Sequence, residues 1–283
     1  MTELAEQFGY SKELTSKWRS RPIFLKGSND TLVILVHGWS LTPRQMLPLG
    51  KYLNKQGYHI SLPLLSGHGQ TPESLEKITW RDWVRDIVRE IRKHKKTGQY
   101  KKIIIGGTSM GGNICLLASL QEKVDSIILI GVPVHFKNHF FFKLGALFAP
   151  FFKKYIKKRR PRGIGFKAED SYQYFPSKNI NQVLILIRRS VFSLNKIKVP
   201  ILILQVKNDF FIAKYSPSVI YANVSSKIKK MIWLDTQSEN HVPQGCEIDI
   251  MAKYIKDFLK QITHRRDVCL KHHSKEFIKN SLR

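Results

Sequence analysis

Ser109 lies in Gly107-Thr108-Ser109-Met110-Gly111, a G-x-S-x-G spacing. A serine hydroxyl is a poor nucleophile at neutral pH and attacks only when a base removes its proton and a third group holds that base. The spacing carries this chemistry when a strand precedes it and a helix follows, because the sharp turn between them then lifts the hydroxyl into reach of a substrate. Both flanks fit. Lys102-Ile103-Ile104-Ile105-Gly106 is an apolar run, and Gly112-Asn113-Ile114-Cys115-Leu116-Leu117-Ala118 reads as a helix. Such a turn is crowded, so Gly107 and Gly111 answer a steric demand, and Gly112 lets the helix lie close to the strand.

The partners of Ser109 are expected on loops at the carboxyl ends of later strands, in the chain order serine, acid, histidine. Asp209 follows the apolar run Ile201–Val206 in Lys207-Asn208-Asp209. His241 follows the run ending at Leu234 and precedes the last helical segment, in Ser238-Glu239-Asn240-His241-Val242. Taken singly, an aspartate after a strand is a turn former, and a lone histidine is a surface or core residue. In this order, each at a strand end, the three make a proton relay. Asp235 is the rival acid, but it is so near His241 in sequence that its loop would have to fold back sharply. Asp125 begins a strand and falls at the wrong end of the sheet. Backbone donors for the developing oxyanion are expected from Met110, after the nucleophile, and from Trp39 in His37-Gly38-Trp39. Gly38 is expected to let the backbone approach closely, and His37 to pack the loop.

These residues require elements that hold them. Thr31-Leu32-Val33-Ile34-Leu35-Val36 is almost wholly apolar, as in a strand buried on both faces. Pro22–Leu25 precedes it across Gly27-Ser28-Asn29-Asp30, which predicts a hairpin between the two runs. Apolar residues at helical spacing predict helices over 43–56 and 79–94, with a strand over 58–62 between them. Strands over 124–130, 201–206 and 229–234 and helices around 216–221 and over 247–262 continue the alternation, which argues for an α/β fold with a mostly parallel sheet covered on both faces. The rhythm breaks between His135 and Lys198, where a helix is predicted over 182–194. The reading is therefore an N-terminal extension over 1–20, a core from 21–134 and 199–263, an inserted cap over 135–198 and a basic tail over 264–283.

Composition narrows the class. The chain has 283 residues, 42% of them hydrophobic, and no run of about 18 or more uncharged apolar residues. No transmembrane helix or secretory signal is expected, and the reading is a cytoplasmic protein. Cys115, Cys246 and Cys269 cannot all pair and match no metal spacing. They read as free thiols, with no metal or cofactor expected. The charge is unusual, with Lys+Arg 48 against Asp+Glu 21, formally +27. Most of the excess spreads along the chain, as in a solvated surface. One cluster stands out, where Phe140, Phe141, Phe142, Phe148, Phe151 and Phe152 precede Lys153, Lys154, Lys157, Lys158, Arg159, Arg160 and Arg162. Phenylalanines there would line an acyl pocket, and the basic flank would hold an anionic membrane surface at the periphery. Nucleic acid is the disfavoured partner, since no helix-turn-helix, zinc or RNP-like pattern accompanies the charge.

From about Pro22 to Leu259 the chain resembles the α/β-hydrolase superfamily, and within it the small bacterial carboxylesterases and monoacylglycerol lipases. The resemblance rests on His37-Gly38-Trp39, Thr42-Pro43, Gly57-Tyr58, Gly67-His68-Gly69, Asp82-Trp83, Gly107 through Gly112, Pro200 with Asp209, and Ser238 close before His241-Val242. It implies cofactor-free hydrolysis of acyl esters, with Ser109 attacking, His241 as base and then acid, and Asp209 orienting it. Acyl transfer, thioester cleavage, or a lipid-binding scaffold without activity would use the same framework. The sequence departs from the group at Glu239-Asn240, where a single small residue is usual, at Pro243-Gln244-Gly245-Cys246, and in the basic, phenylalanine-rich cap.

Overall fold

The computed structural model describes residues 21–136, 155–157, 174–236 and 248–262. The N-terminal extension, the phenylalanine-rich and most of the basic part of the cap, the loop carrying His241, and the tail lie outside the described residues. In chain order the elements are β1 Ile23–Leu25, β2 Thr31–Val36, α1 Leu47–Lys55, β3 His59–Leu62, α2 Trp80–Lys96, β4 Lys102–Thr108 and α3 Met110–Ala118. Then come β5 Ser126–Ile130, β6 Tyr155–Lys157, β7 Tyr174–Pro176, α4 Ser177–Phe192, β8 Ile201–Val206, α5 Ser216–Asn223 and β9 Lys229–Leu234. A last helix, α6, covers 248–262.

Seven strands form one sheet in the order β1-β3-β2-β4-β5-β8-β9. All pairs are parallel except β1 with β3. The central strands β2, β5 and β8 are buried at every residue, as their apolar runs require when helices cover both faces. Alternate side chains of each strand enter opposite layers. Leu32, Ile34, Ile105, Ile127, Leu129 and Ile203 join α2, α3, α4 and α5 on one face. Val33, Leu35, Ile104, Ile128, Leu202 and Leu204 join α1 and α6 on the other.

The hairpin expected between Pro22–Leu25 and Thr31–Val36 does not form. β1 pairs with β3, and β3 lies between β1 and β2. The Gly-Ser-Asn-Asp segment turns instead onto the end of the first helical segment, where Ser28 and Asn29 N–H both donate to Gly57 O at 2.9 Å. A Cβ on Gly27 would come within 2.3 Å of that same carbonyl oxygen, so glycine is required there. The turn signal was real, but it fixes where the chain bends and not which strand receives the next pairing.

Helix α2 shows why its sequence folds as it does. Thr79 and Asp82 close a capping box at its start, with the Asp82 carboxylate accepting the Thr79 N–H at 2.9 Å. Trp83, Val84, Ile87, Val88 and Ile91 form its buried face. Arg81, Arg85 and Arg89 form an exposed like-charge row on the other side. Such a row costs a few tenths of a kcal/mol per pair, whereas each large buried apolar side chain contributes about 1.5–3 kcal/mol. Packing therefore decides the outcome. Helix α4 starts five residues before the segment expected from periodicity and packs Val183, Leu186 and Ile187 into the same core layer.

Candidate active site

Ser109 stands between the last residue of β4 and the first of α3, with φ 51 and ψ −122. A non-glycine residue in that region is strained and persists only where its surroundings enforce it. Here they do. The Ser109 N–H donates to Ile130 O at 2.9 Å, and the Gly112 N–H donates to Ser109 O at 3.0 Å. A Cβ on Gly107 would lie 2.4 Å from the Gly111 carbonyl carbon, and one on Gly111 would lie 2.4 Å from Val36 O and 2.6 Å from His37 O. The elbow is thus wedged against the end of β2. The crowding expected at Gly107 and Gly111 is what the elbow shows. A Cβ on Gly38 would meet nothing nearer than 3.5 Å, an ordinary contact.

The loop after β2, which carries Trp39, meets the elbow at His37 O, 2.6 Å from a Cβ placed on Gly111. The amides on either side of Trp39 are occupied by buried side chains. Gly38 N–H donates to Gln45 Oε1 at 2.8 Å, and Ser40 N–H, at a residue with φ 59, donates to His68 Nε2 at 3.1 Å. Among the described residues no acceptor engages the Trp39 N–H. The Met110 N–H, at the first position of α3, has no intrahelical acceptor by the geometry of a helix start. Neither backbone N–H named from the sequence is thus engaged by an acceptor in its own loop or helix among the described residues.

His37 is fully buried, and its Nδ1 bonds Gly38 O at 2.9 Å while its Nε2 accepts the Leu65 N–H at 3.2 Å. That pattern requires a neutral ring, and burial depresses its pKa from 6.5 to about 4. The ring stands edge-on to His68, 5.0 Å between centroids. His68 Nδ1 in turn meets Ser66 O at 3.1 Å. His37 is a packing residue, as expected.

Asp209 lies beyond the carboxyl end of β8, and β8 adjoins β5, whose other neighbour is β4. It is 2% exposed. Its Oδ1 accepts the N–H groups of Phe211 at 2.8 Å and Ile212 at 3.0 Å, and its Oδ2 accepts Gln205 Nε2 at 2.9 Å. The segment after β5 braces this loop through a Phe136–Ile212 bridge and the Ala213 N–H donating to His135 O at 3.1 Å. Asp235, the rival acid, is 77% exposed and paired to Lys207 at 2.7 Å. Asp125 accepts the Ile103 N–H at 2.8 Å, at the start of β4 and the opposite end of the sheet. His241 lies outside the described residues.

Two residues that hold this arrangement, Gln45 and Gln205, look like ordinary polar residues until the fold brings them against the two loops. His68 stands in the Gly67-His68-Gly69 motif, but its role as a clamp on the Ser40 amide shows only in the fold. Among the described residues no group of three or more His, Cys, Asp or Glu side chains is arranged to hold a metal ion. Cys115 is buried, and burial pushes its thiol pKa far up, which makes it inert as a nucleophile. No helix among the described residues is long and apolar enough to cross a membrane.

The chain matches the α/β hydrolase fold family over residues 31–179 and belongs to it. It is similar to a carboxylesterase of Bacillus subtilis (strain 168), with 26% identity over 243 residues, covering 86% of this chain and 97% of that protein. It is also similar to a thermostable monoacylglycerol lipase of Bacillus sp. (strain H-257), with 29% identity over 207 residues, 71% of this chain and 80% of that protein. Among solved structures, a chain of the metagenome-derived lipolytic enzymes LipS and LipT superposes with a TM-score of 0.77 at 23% identity, covering 86% of this chain and 98% of that one. A soluble variant of the Saccharomyces cerevisiae monoglyceride lipase gives 0.73 at 17% identity, with 85% and 90% covered. At those identities the structural likeness speaks for the fold.

Proposed function

We propose that this protein is a serine hydrolase that cleaves carboxylic esters of small acyl substrates, among them short- and medium-chain esters or monoacylglycerol. The observation that carries the reading is the strained Ser109 turn with the Trp39 and Met110 backbone donors, and the buried Asp209 after β8, two strands from β4 in the sheet. The two bacterial relatives, a carboxylesterase and a monoacylglycerol lipase, support the same chemistry.

In this mechanism the Ser109 hydroxyl gives its proton to His241 and its oxygen bonds the acyl carbon. The carbonyl oxygen becomes an oxyanion held by the Trp39 and Met110 N–H groups, and Asp209 holds the imidazolium that forms. Collapse breaks the bond to the alcohol, which leaves with the proton from His241. Water then repeats the sequence on the acyl-enzyme and releases the acid. Losing one oxyanion donor from such a site costs about 3 kcal/mol of transition-state stabilisation, so the fixed amides contribute as much as a large buried side chain. Residues 135–198 act as the cap over the acyl site, and 21–134 with 199–263 form the catalytic body.

Ser109→Ala tests the reading. It abolishes turnover of a short p-nitrophenyl ester and labelling by a fluorophosphonate, and labelling that survives would place the nucleophile elsewhere. A rate profile over acyl esters of rising length, with a monoglyceride included, fixes the substrate.

Peripheral attachment to an anionic lipid surface is favoured by one further observation. Helix α4 contains no acidic residue and exposes Ile185, Arg188, Arg189 and Phe192, the last 70% exposed. Liposome flotation is expected to recover the protein with anionic vesicles and not with neutral ones. Equal recovery removes the attachment.

A further inference from the structure

We infer that Asn179, on the cap helix, is a positioning residue for the oxyanion hole, acting through the indole of Trp39. The inference rests on the proposed hydrolase reading and names a residue that this reading does not use. Trp39 Nε1–H donates to Asn179 Oδ1 at 2.8 Å, across 140 positions of sequence. The same amide turns its Nδ2 to Leu75 O at 3.0 Å and Ile78 O at 3.4 Å. Those two acceptors are carbonyls with no donor to give, so the amide can face only one way, with its oxygen towards the indole.

Asn179 is 2% exposed and lies in the first turn of α4. Its neighbours there are apolar. Phe175 and Ile180 form a small buried cluster against Trp39, and the Phe175 ring lies 4.3 Å from the indole between centroids. An aliphatic side chain would serve packing at such a place, and a buried amide is tolerated only when its donors and acceptor are engaged. All are engaged here, and one of them ends on the residue whose backbone N–H faces the reacting carbonyl.

The consequence follows from how the loop after β2 is held. Gln45 fixes the amide before Trp39, and His68 fixes the amide after it. The Trp39 N–H itself must stay unpaired to serve an oxyanion, so no hydrogen bond of its own can aim it. Its direction is then set by the flanking amides and by the anchored indole. The anchor comes from the inserted cap, so the oxyanion hole is complete only when the start of α4 is seated on the body. A misplacement of about 1 Å at such a donor can cost about 100-fold in rate.

A double-mutant cycle on p-nitrophenyl butyrate tests this, using the full chain. Asn179→Leu is expected to lower kcat about 10- to 100-fold with KM within about threefold, and to weaken a boronic-acid inhibitor of the serine in parallel. Trp39→Phe, which keeps a ring against Phe175 but has no N–H to donate, is expected to lower kcat to a similar extent. The double variant should lose no more than the worse single one. Gln182→Leu removes a different anchor of α4, the acceptor of the Trp80 N–H at 3.3 Å, and should leave kcat near wild type. Overturning results are a folded Asn179→Leu with kcat within about twofold of wild type, additive losses in the double variant, or an equal loss in Gln182→Leu. Should Asn179→Leu fail to give a cooperative melt, Trp39→Phe decides alone, and an unchanged kcat there overturns the inference. Wild-type turnover that does not depend on Ser109 would remove the hydrolase reading and this inference with it. Ser109-dependent turnover with an unaffected Asn179→Leu would remove the inference only.

Discussion

Two regions of the sheet use polar residues in opposite ways. At the β1–β3 edge, Glu90 Oε1 bonds Ser61 Oγ at 2.7 Å and His94 Nε2 at 2.8 Å, and Lys93 approaches the other oxygen at 3.4 Å. Phe24 stacks on the His94 ring at 5.8 Å, and Tyr100 meets both His94 and His59 edge-on. Each group there has a partner, and the backbone is relaxed. At the carboxyl ends of β2, β4 and β8 the chain instead holds Ser109 and Ser40 at positive φ, and the Trp39 and Met110 N–H groups have no acceptor among the described residues. A titratable cluster that satisfies itself builds structure. One that keeps strain and open donors at the mouth of the sheet is prepared for a visitor. Histidines and carboxylates occur in both, so residue type alone does not tell them apart.

The contrast can be broken most sharply at the two aspartates that follow β8 and β9. Asp209→Asn keeps the shape but loses the charge that would hold an imidazolium, and kcat is expected to fall about 10⁴-fold. Asp235→Asn removes only an exposed ion pair and should leave kcat within about twofold and stability within about 0.5 kcal/mol. Comparable losses in the two variants would dissolve the distinction between the buried and the exposed acid.

Acid stability separates the two regions next. Burial lowers the His37 pKa to about 4 in the folded chain against 6.5 when unfolded. As pH falls, the unfolded chain binds this proton first. The stability carried by the neutral ring is therefore complete above about pH 6.5 and is lost towards pH 4, amounting to about 3 kcal/mol. Urea unfolding between pH 7 and 4 should show that slope, and His37→Asn should flatten it.

Glu90 behaves with the other sign. Burial would raise its carboxyl, but the hydrogen bonds from His94 and Ser61 outweigh that and bring it from 4.5 down to about 2. Its contribution is present above about pH 4.5 and disappears as pH falls towards 2. Glu90→Gln should cost about 1.5 kcal/mol at pH 7, remove the slope below pH 4.5, and leave ester turnover unchanged. A loss of turnover would join the edge cluster to the site and end the comparison.

The sequence determined a good deal by itself. Continuous apolar runs located the central strands, because a strand covered on both faces has no polar side to show. The G-x-S-x-G spacing located the elbow, because only glycine fits where Gly107 and Gly111 meet backbone. The apolar runs before them placed Ser109 after β4 and Asp209 after β8, while His241 lies outside the described residues. Tertiary structure decided the rest. Strand β1 joined β3 because a local turn signal contains no information about a distant hydrogen-bonding edge. Gln45 and His68 became the clamps of the Trp39 loop, and Asn179 became the anchor of its indole, because buried polar groups take whichever partners the packed core brings to them. Partners 140 positions apart share no periodicity or spacing, so only the folded chain could show them.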